Sequence, residues 1–459
     1  MNIPYPDLTP VIPEIVMAVA ASLLLLMELI AENKRPLGYI GIVIAAITIY
    51  LLPFCRGEAF GGMFVSDSYS VYFKSIVLIS LILTILISLK YLQAQQADFG
   101  EYYSLLLFSA TGMMLMASAR DLIIVFLGIE LMSLSLYILC GIKKQDPRSS
   151  EAAMKYFLLG AFSTAILLYG ISILYGLTTT TDLYKVADYI RSTPASPALM
   201  LSMVLIIVAF SFKISAVPFH MWAPDVYEGA PTSITAFMST AAKAAAFAVL
   251  GRVFFTAFPV FEPYWTDILI IIAILTMAVG NILAIVQTNI KRMLAYSSIA
   301  HAGYVLLAII AGTNEAMDAM KLYLLVYTFM NMGAFAVVIL LEKGENITDY
   351  NGLSKSHPIA AALMLIFMFS LAGIPPTAGF MGKFYIFMAA INAGYAWLVI
   401  IAVIFSAISA YFYLRIIMNM YMKPLGEKIG IKPSLGLAAA LFISAVMILV
   451  IGIVPSVIL

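Results

Sequence analysis

Apolar runs of about twenty residues recur along almost the whole of this chain, and no other feature constrains its fold as strongly. A helix needs about 20 mostly apolar residues to cross the hydrocarbon of a bilayer. Fourteen runs meet that length, near 11–31, 37–56, 69–90, 102–118, 121–141, 152–176, 198–219, 230–257, 265–287, 293–312, 316–342, 358–390, 394–422 and 434–457. Of the 459 residues, 63% are hydrophobic and 11% charged, and the mean hydropathy is +1.03. Soluble domains of this size are not so apolar. The expected fold class is therefore an all-α polytopic membrane protein of about fourteen transmembrane helices. No connector is long and polar enough for a soluble domain, the longest lying near 177–197 and 343–357. No basic residue precedes Lys34, so the first run lacks the charged flank of a cleaved signal peptide and reads as a permanent span.

Basic residues give the orientation. One set of alternate loops carries Lys34, Arg35, Lys90, Lys143, Lys144, Arg148, Lys291, Arg292, Lys343, Lys355, Lys423, Lys428 and Lys432; the other carries Arg56, Arg120, Lys185 and Arg191. Loops rich in lysine and arginine stay on the cytoplasmic side. Both termini are then expected outside, on the periplasmic side of a bacterial inner membrane. The formal net charge of +1 gives no electrostatic reason to expect nucleic acid as a partner; the lipid bilayer is the expected surroundings.

Against this apolar background three lysines stand out: Lys213 in LIIVAFSFKISAVPF, Lys243 in AFMSTAAKAAAFAVL and Lys383 in GIPPTAGFMGKFYIF. An ammonium at mid-membrane costs a few kcal/mol by insertion scales, so such groups are kept where they are paired, hydrated or used. Two lie beside helix breakers. Pro218 lacks an N–H, so the Ile214 carbonyl loses its helical partner; Pro375 and Pro376 do the same to Leu371 and Ala372. Broken helices are tolerated in a membrane where they line water or are buried in protein. Prolines that merely kink a helix for packing are common, but a kink beside a mid-membrane lysine, found twice, points to a proton or cation path.

Further groups extend that path. Glu130, the one acid in VFLGIELMSLSLYIL, is expected to pair directly with Lys213, since opposite charges within about 4–6 Å hold each other ionised. Lys243 sits among alanines, about a dozen residues into its span and too deep to snorkel. His301 shares a helix face with Ser297 and Tyr304, where a neutral imidazole between hydroxyls makes a proton relay. His220 follows the Pro218 break. Glu28, Lys155, Lys321, Arg252 and Arg415 lie nearer span ends and read as mostly interfacial.

An internal echo accompanies the breaks. Ala209-Phe210-Ser211 precedes Lys213 and Pro218, and Met368-Phe369-Ser370 precedes Pro375, Pro376 and Lys383. The two segments lie five spans apart, which gives the copies opposite orientations, the build of many secondary transporters. Neither a Walker loop nor a Rossmann glycine motif is present. Cys55 and Cys140 belong to no Cys/His cluster, and His220, His301 and His357 show no haem-ligand spacing. No metal or redox centre is expected in the chain.

Four motifs, VPFHMWAPDVYEGAPT (217–232), QTNIKRMLAYSSIAHAGY (287–304), GIELMSLSLYIL (128–139) and LAGIPPTAGFMGKF (371–384), resemble the subunit N family of bacterial proton-pumping NADH:quinone oxidoreductase, respiratory complex I. Related antiporter-like subunits carry a threonine–tryptophan–leucine–proline form of the first motif; here it is His220-Met221-Trp222-Ala223-Pro224. The resemblance implies two inverted five-helix repeats and domains at 1–101, 102–258, 259–422 and 423–459. It maps the family's helix-5 glutamate, its lysines of helices 7 and 8, and its helix-12 lysine or glutamate onto Glu130, Lys213, Lys243 and Lys383. It further implies that NADH, FMN, iron–sulfur clusters and quinone are bound by other subunits, with antiporter-like subunit M and the small subunit K as neighbours. The alternatives are a subunit of a multisubunit cation/proton antiporter, or of a related membrane-bound hydrogenase or oxidoreductase.

Overall fold

The computed structural model describes residues 7–455 apart from 96, 98, 342, 343 and 427–429. Lys343 and Lys428 of the charge count lie outside the described residues. The chain is helical nearly throughout: α1 (Ile12–Glu28), α2 (Arg35–Leu51), α3 (Ser68–Ala94), α4 (Glu101–Ser118), α5 (Leu122–Cys140), α6 (Pro147–Thr178), α7 (Leu183–Ser192), α8 (Pro197–Lys213), α9 (Trp222–Gly229), α10 (Thr232–Phe237), α11 (Lys243–Ala257), α12 (Glu262–Ile285), α13 (Ile290–Ala311), α14 (Asn314–Leu340), α15 (Leu353–Ser356), α16 (Pro358–Ala372), α17 (Ala378–Asn392), α18 (Ala396–Met422) and α19 (Leu435–Ile453).

All fourteen predicted spans correspond to helices. Among the described residues ten are long and apolar enough to cross a membrane. The other four predicted spans are the shorter α2, the more polar α4, and the two that break, as α8/α9 and α16/α17. A third interruption has no proline behind it: Met238–Ala242, between α10 and α11, is a π-helical turn. Starts are set by side chains that satisfy free N–H groups. Asp67 and Ser70 form a capping box at α3, Asp121 caps α5 and Asn289 caps α13.

The connectors differ between the two ends of the bundle. One end carries an antiparallel hairpin, β1 (Gly57–Ala59) with β2 (Phe64–Ser66), and also α7, whose Leu183, Val186, Ala187 and Ile190 are buried. That helix lies in a stretch the hydropathy reading leaves as a connector. The other end carries the basic loops. Burial is uneven around the bundle. The central windows of the α10–α11 span, α13 and α14 are 100% buried, against 33% for α18 and 39% for α6. Three spans are thus enclosed by the rest of the chain, while the outer ones present leucine, isoleucine and aromatic side chains at its surface.

Candidate functional site

The chemistry-bearing residues gather on and around the enclosed helices. Lys213 ends α8 and is 7% exposed. Its Nζ donates to Ser133 Oγ at 2.9 Å. The expected direct pairing with Glu130 is not made: among the described residues no ion pair joins them, and Glu130 is only partly buried. Ser133 is three residues on from Glu130 in α5, one position along the same helical stripe, and takes the ammonium in its place. The Glu130 charge still acts on Lys213 through space.

Lys243 opens α11 just after the π turn and is 3% exposed. Its Nζ donates to the Ser298 carbonyl of α13 at 2.5 Å. One turn further along α13, His301 is 3% exposed and lies between two tyrosines, with Nδ1 2.5 Å from Tyr323 Oη and Nε2 3.0 Å from Tyr413 Oη. Tyr413 Oη in turn lies 2.5 Å from Ser297 Oγ. The expected histidine–hydroxyl arrangement is therefore present, but its direct partners come from α14 and α18. The charges of Lys383 and Lys243 both act on this ring.

Lys383, on α17, folds back onto the break. Its Nζ donates to the carbonyls of Leu371 (3.2 Å) and Ala372 (3.1 Å) and to Ser406 Oγ (3.0 Å), and lies 5.1 Å from the centroid of the Tyr304 ring. These are the two carbonyls that Pro375 and Pro376 leave without helical partners. The negative end of α16 thus meets a cation, the complementary arrangement for a helix dipole. Close packing fixes the bend. Gly373 adopts φ 85°, Gly379 N donates to Ser370 Oγ at 3.0 Å, and a Cβ on Gly379 would overlap the Ser370 carbonyl oxygen.

His220 is half-buried at the first break, and none of the described polar contacts ties its ring to the lysines. Lys155, Arg292, Asp225 and Glu228 form an ion-pair network about α9 at the basic end, while Lys291 donates to the carbonyls of Glu228 and Ala230. Lys321 pairs with Asp318, and Arg252 binds Asp67 through two nitrogens. One buried charged pair has no counterpart in the sequence reading. Lys74 Nζ lies 2.6 Å from Glu14 Oε1, with side chains 0% and 3% exposed, at the hairpin end and 4.8 Å from the Phe64 ring centroid. Among the described residues no three His, Cys, Asp or Glu side chains cluster as metal ligands would, and Cys55 and Cys140 are buried free thiols.

Residues 119–409 match the family described as NADH:quinone oxidoreductase/Mrp antiporter, transmembrane. The chain is 50% identical over 412 residues to NADH-quinone oxidoreductase subunit N 1 of Thermodesulfovibrio yellowstonii, covering 90% of this chain and 89% of that protein. It belongs to the subunit N family. NADH-quinone oxidoreductase subunit N of Trichlorobacter lovleyi is 47% identical over 465 residues, covering 99% and 96%. Among solved structures, a chain of respiratory complex I from Thermus thermophilus with bound aureothin superposes with a TM-score of 0.84 at 33% identity, covering 97% of this chain and 98% of that one. The subunit N family thus accounts for nearly the whole length of a multi-pass membrane protein.

Proposed function

We infer that this chain is the antiporter-like, proton-translocating membrane subunit of an NADH:quinone oxidoreductase, and that it moves protons through Glu130, Lys213, Lys243, His301 and Lys383. One observation carries the reading: three buried lysines and a buried histidine lie on or against the enclosed helices, each held by hydroxyls or backbone carbonyls. Such partners stabilise an ammonium without fixing it as a permanent ion pair, so a proton can leave and return. Lys243, between the two breaks, hands protons from one half to the other. Lys383 releases them toward the hairpin end. His220 serves the first break.

The basic loops face the cytoplasm of a bacterial cell, with both termini on the periplasmic side. The two inverted repeats span 102–258 and 259–422, flanked by 1–101 and 423–459. Redox chemistry, with NADH, FMN, iron–sulfur clusters and quinone, belongs to other subunits, and subunits M and K are the neighbours within the membrane arm. The subunit N names of the relatives favour this reading over a free-standing cation antiporter or a hydrogenase arm.

The test is Lys243→Ala in the assembled complex, reconstituted in liposomes. Quinone-linked proton pumping should fall while the complex remains assembled. Normal pumping by the assembled variant would remove Lys243 from the path. Lys383→Arg separates proton transfer from electrostatics, because arginine keeps the charge but does not deprotonate.

A further inference from the structure

α8 ends at Lys213, and the backbone groups freed beyond it find partners outside the helical ladder. In an unbroken helix the Phe212 carbonyl would accept from the Ala216 N–H, but Ala216 N donates to the Ser211 carbonyl at 2.8 Å. Phe212 O accepts instead from Ser215 N at 3.0 Å and from the indole Nε1 of Trp222 at 3.0 Å. At the far side of the unwound segment, Val217 N donates to Thr276 Oγ1 of α12 at 2.9 Å. Both of these outside partners, Trp222 and Thr276, are buried.

The indole is itself fixed. It stacks on Tyr156 of α6 with ring centroids 4.6 Å apart and planes at 11°, and on Phe212 with centroids 5.4 Å apart. Trp222 thus ties the residue before Lys213 to α6 and α9, and Thr276 ties the residue before Pro218 to α12. Two side chains from separate helices bracket the segment 213–217. At the second break the freed carbonyls of Leu371 and Ala372 are filled by Lys383 itself. At the first, Trp222 and backbone N–H groups do that work, and the Lys213 amine is left to donate to Ser133 Oγ at 2.9 Å.

We propose that Trp222 and Thr276 are positioning residues for proton transfer at Lys213: together they clamp the unwound segment and so hold the lysine amine on Ser133, one stripe position from Glu130. This rests on the assignment of Lys213 to proton transfer. Neither side chain carries the proton. The indole N–H is a donor only and holds a carbonyl, while the threonine oxygen accepts from a backbone N–H. A buried carbonyl or N–H that loses its partner is strongly disfavoured. The segment then turns to find another partner, and the lysine at its root turns with it. A misplacement of about 1 Å is enough to slow transfer at a positioned group.

Thr276→Val removes the acceptor and keeps the volume, whereas Thr276→Ser keeps the acceptor and loses a methyl group. In proteoliposomes containing the whole complex, Thr276→Val should lower quinone-linked proton translocation by about fivefold, the scale of one lost hydrogen bond. Thr276→Ser should stay near the parent rate; a role in packing alone predicts the opposite order. Trp222→Phe, which keeps an aromatic ring and loses the N–H, should match Thr276→Val. A double-mutant cycle separates positioning from general damage. With Ser133→Ala already present, Thr276→Val should slow pumping no further, because both changes act on the same lysine contact, whereas independent defects multiply. Multiplied losses overturn the clamp, as does full pumping in assembled Thr276→Val and Trp222→Phe alongside lost pumping in Lys213→Met; either result leaves the lysine's role standing. Full pumping in Lys213→Met overturns the role itself.

Discussion

The two broken helices use the same device with opposite geometry. In the first, Lys213 precedes the proline and reaches sideways to a single neutral hydroxyl on another helix. In the second, Lys383 follows the prolines and turns back onto the carbonyls they set free, with a serine as third partner. The first lysine is thus tied to a neighbour, the second to its own break. The bends differ as well. Ser215, with φ 60°, takes the left-handed conformation that Gly373 takes with φ 85° at the other site. A proline break therefore supplies carbonyl acceptors, but the side of the break on which the lysine falls decides whether it uses them.

Substitutions can break this contrast. Gly379→Val should have the largest effect, about 3 kcal/mol or more of stability, since its Cβ has no space beside Ser370; thermal unfolding of the purified complex and the yield of assembled chain report it. Lys383→Met should lower stability by about 2 kcal/mol, because two carbonyls lose their partner inside the membrane. Lys213→Met should stay within about 1 kcal/mol of the parent, as it leaves only one serine unpaired and removes a buried charge. Both should abolish pumping, so unfolding and transport measured together separate them. Equal stability losses in the two lysine variants would erase the distinction. At the hydroxyls, Ser133→Ala should slow pumping by about fivefold, whereas Ser406→Ala, which leaves Lys383 two carbonyls, should cost about 0.5 kcal/mol or less. Opposite in sign is Ser215→Gly, which should raise stability by about 0.5–1 kcal/mol by relieving the left-handed backbone; a fall would mean that the Ser215 side chain holds the first bend.

The fourteen spans were legible because hydropathy over twenty residues outweighs every local preference in this chain. The breaks were legible too, since a missing N–H acts at a fixed distance: Leu371 and Ala372 follow from Pro375 and Pro376 by counting four back. What the counting leaves open is which side chain fills the gap, for that depends on helices far apart in sequence. Ser133, Ser406, Tyr323 and Tyr413 are ordinary polar residues in their own spans and gain meaning only through packing. Glu14 and Lys74 illustrate the same limit, each a lone charge in an apolar run with its partner about sixty residues away. The α7 helix was legible from Leu183, Val186, Ala187 and Ile190, an amphipathic stripe that a search for spans passes over. Glu130 acts on Lys213 through space without a direct salt bridge, because a serine one stripe position away is better placed to take the ammonium.

The close fit of Gly379 against Ser370 has a mechanical consequence. A joint with no clearance cannot swing, so the second break is an elbow set at one angle and not a hinge. On the proton-transfer role proposed for Lys383, turnover there would draw on the rotation of an amine and of nearby hydroxyls, movements on the scale of a bond length, with the packed helices held in place. A part of the protein that looks, from its prolines and glycines, like a flexible point serves instead as a closely packed mounting.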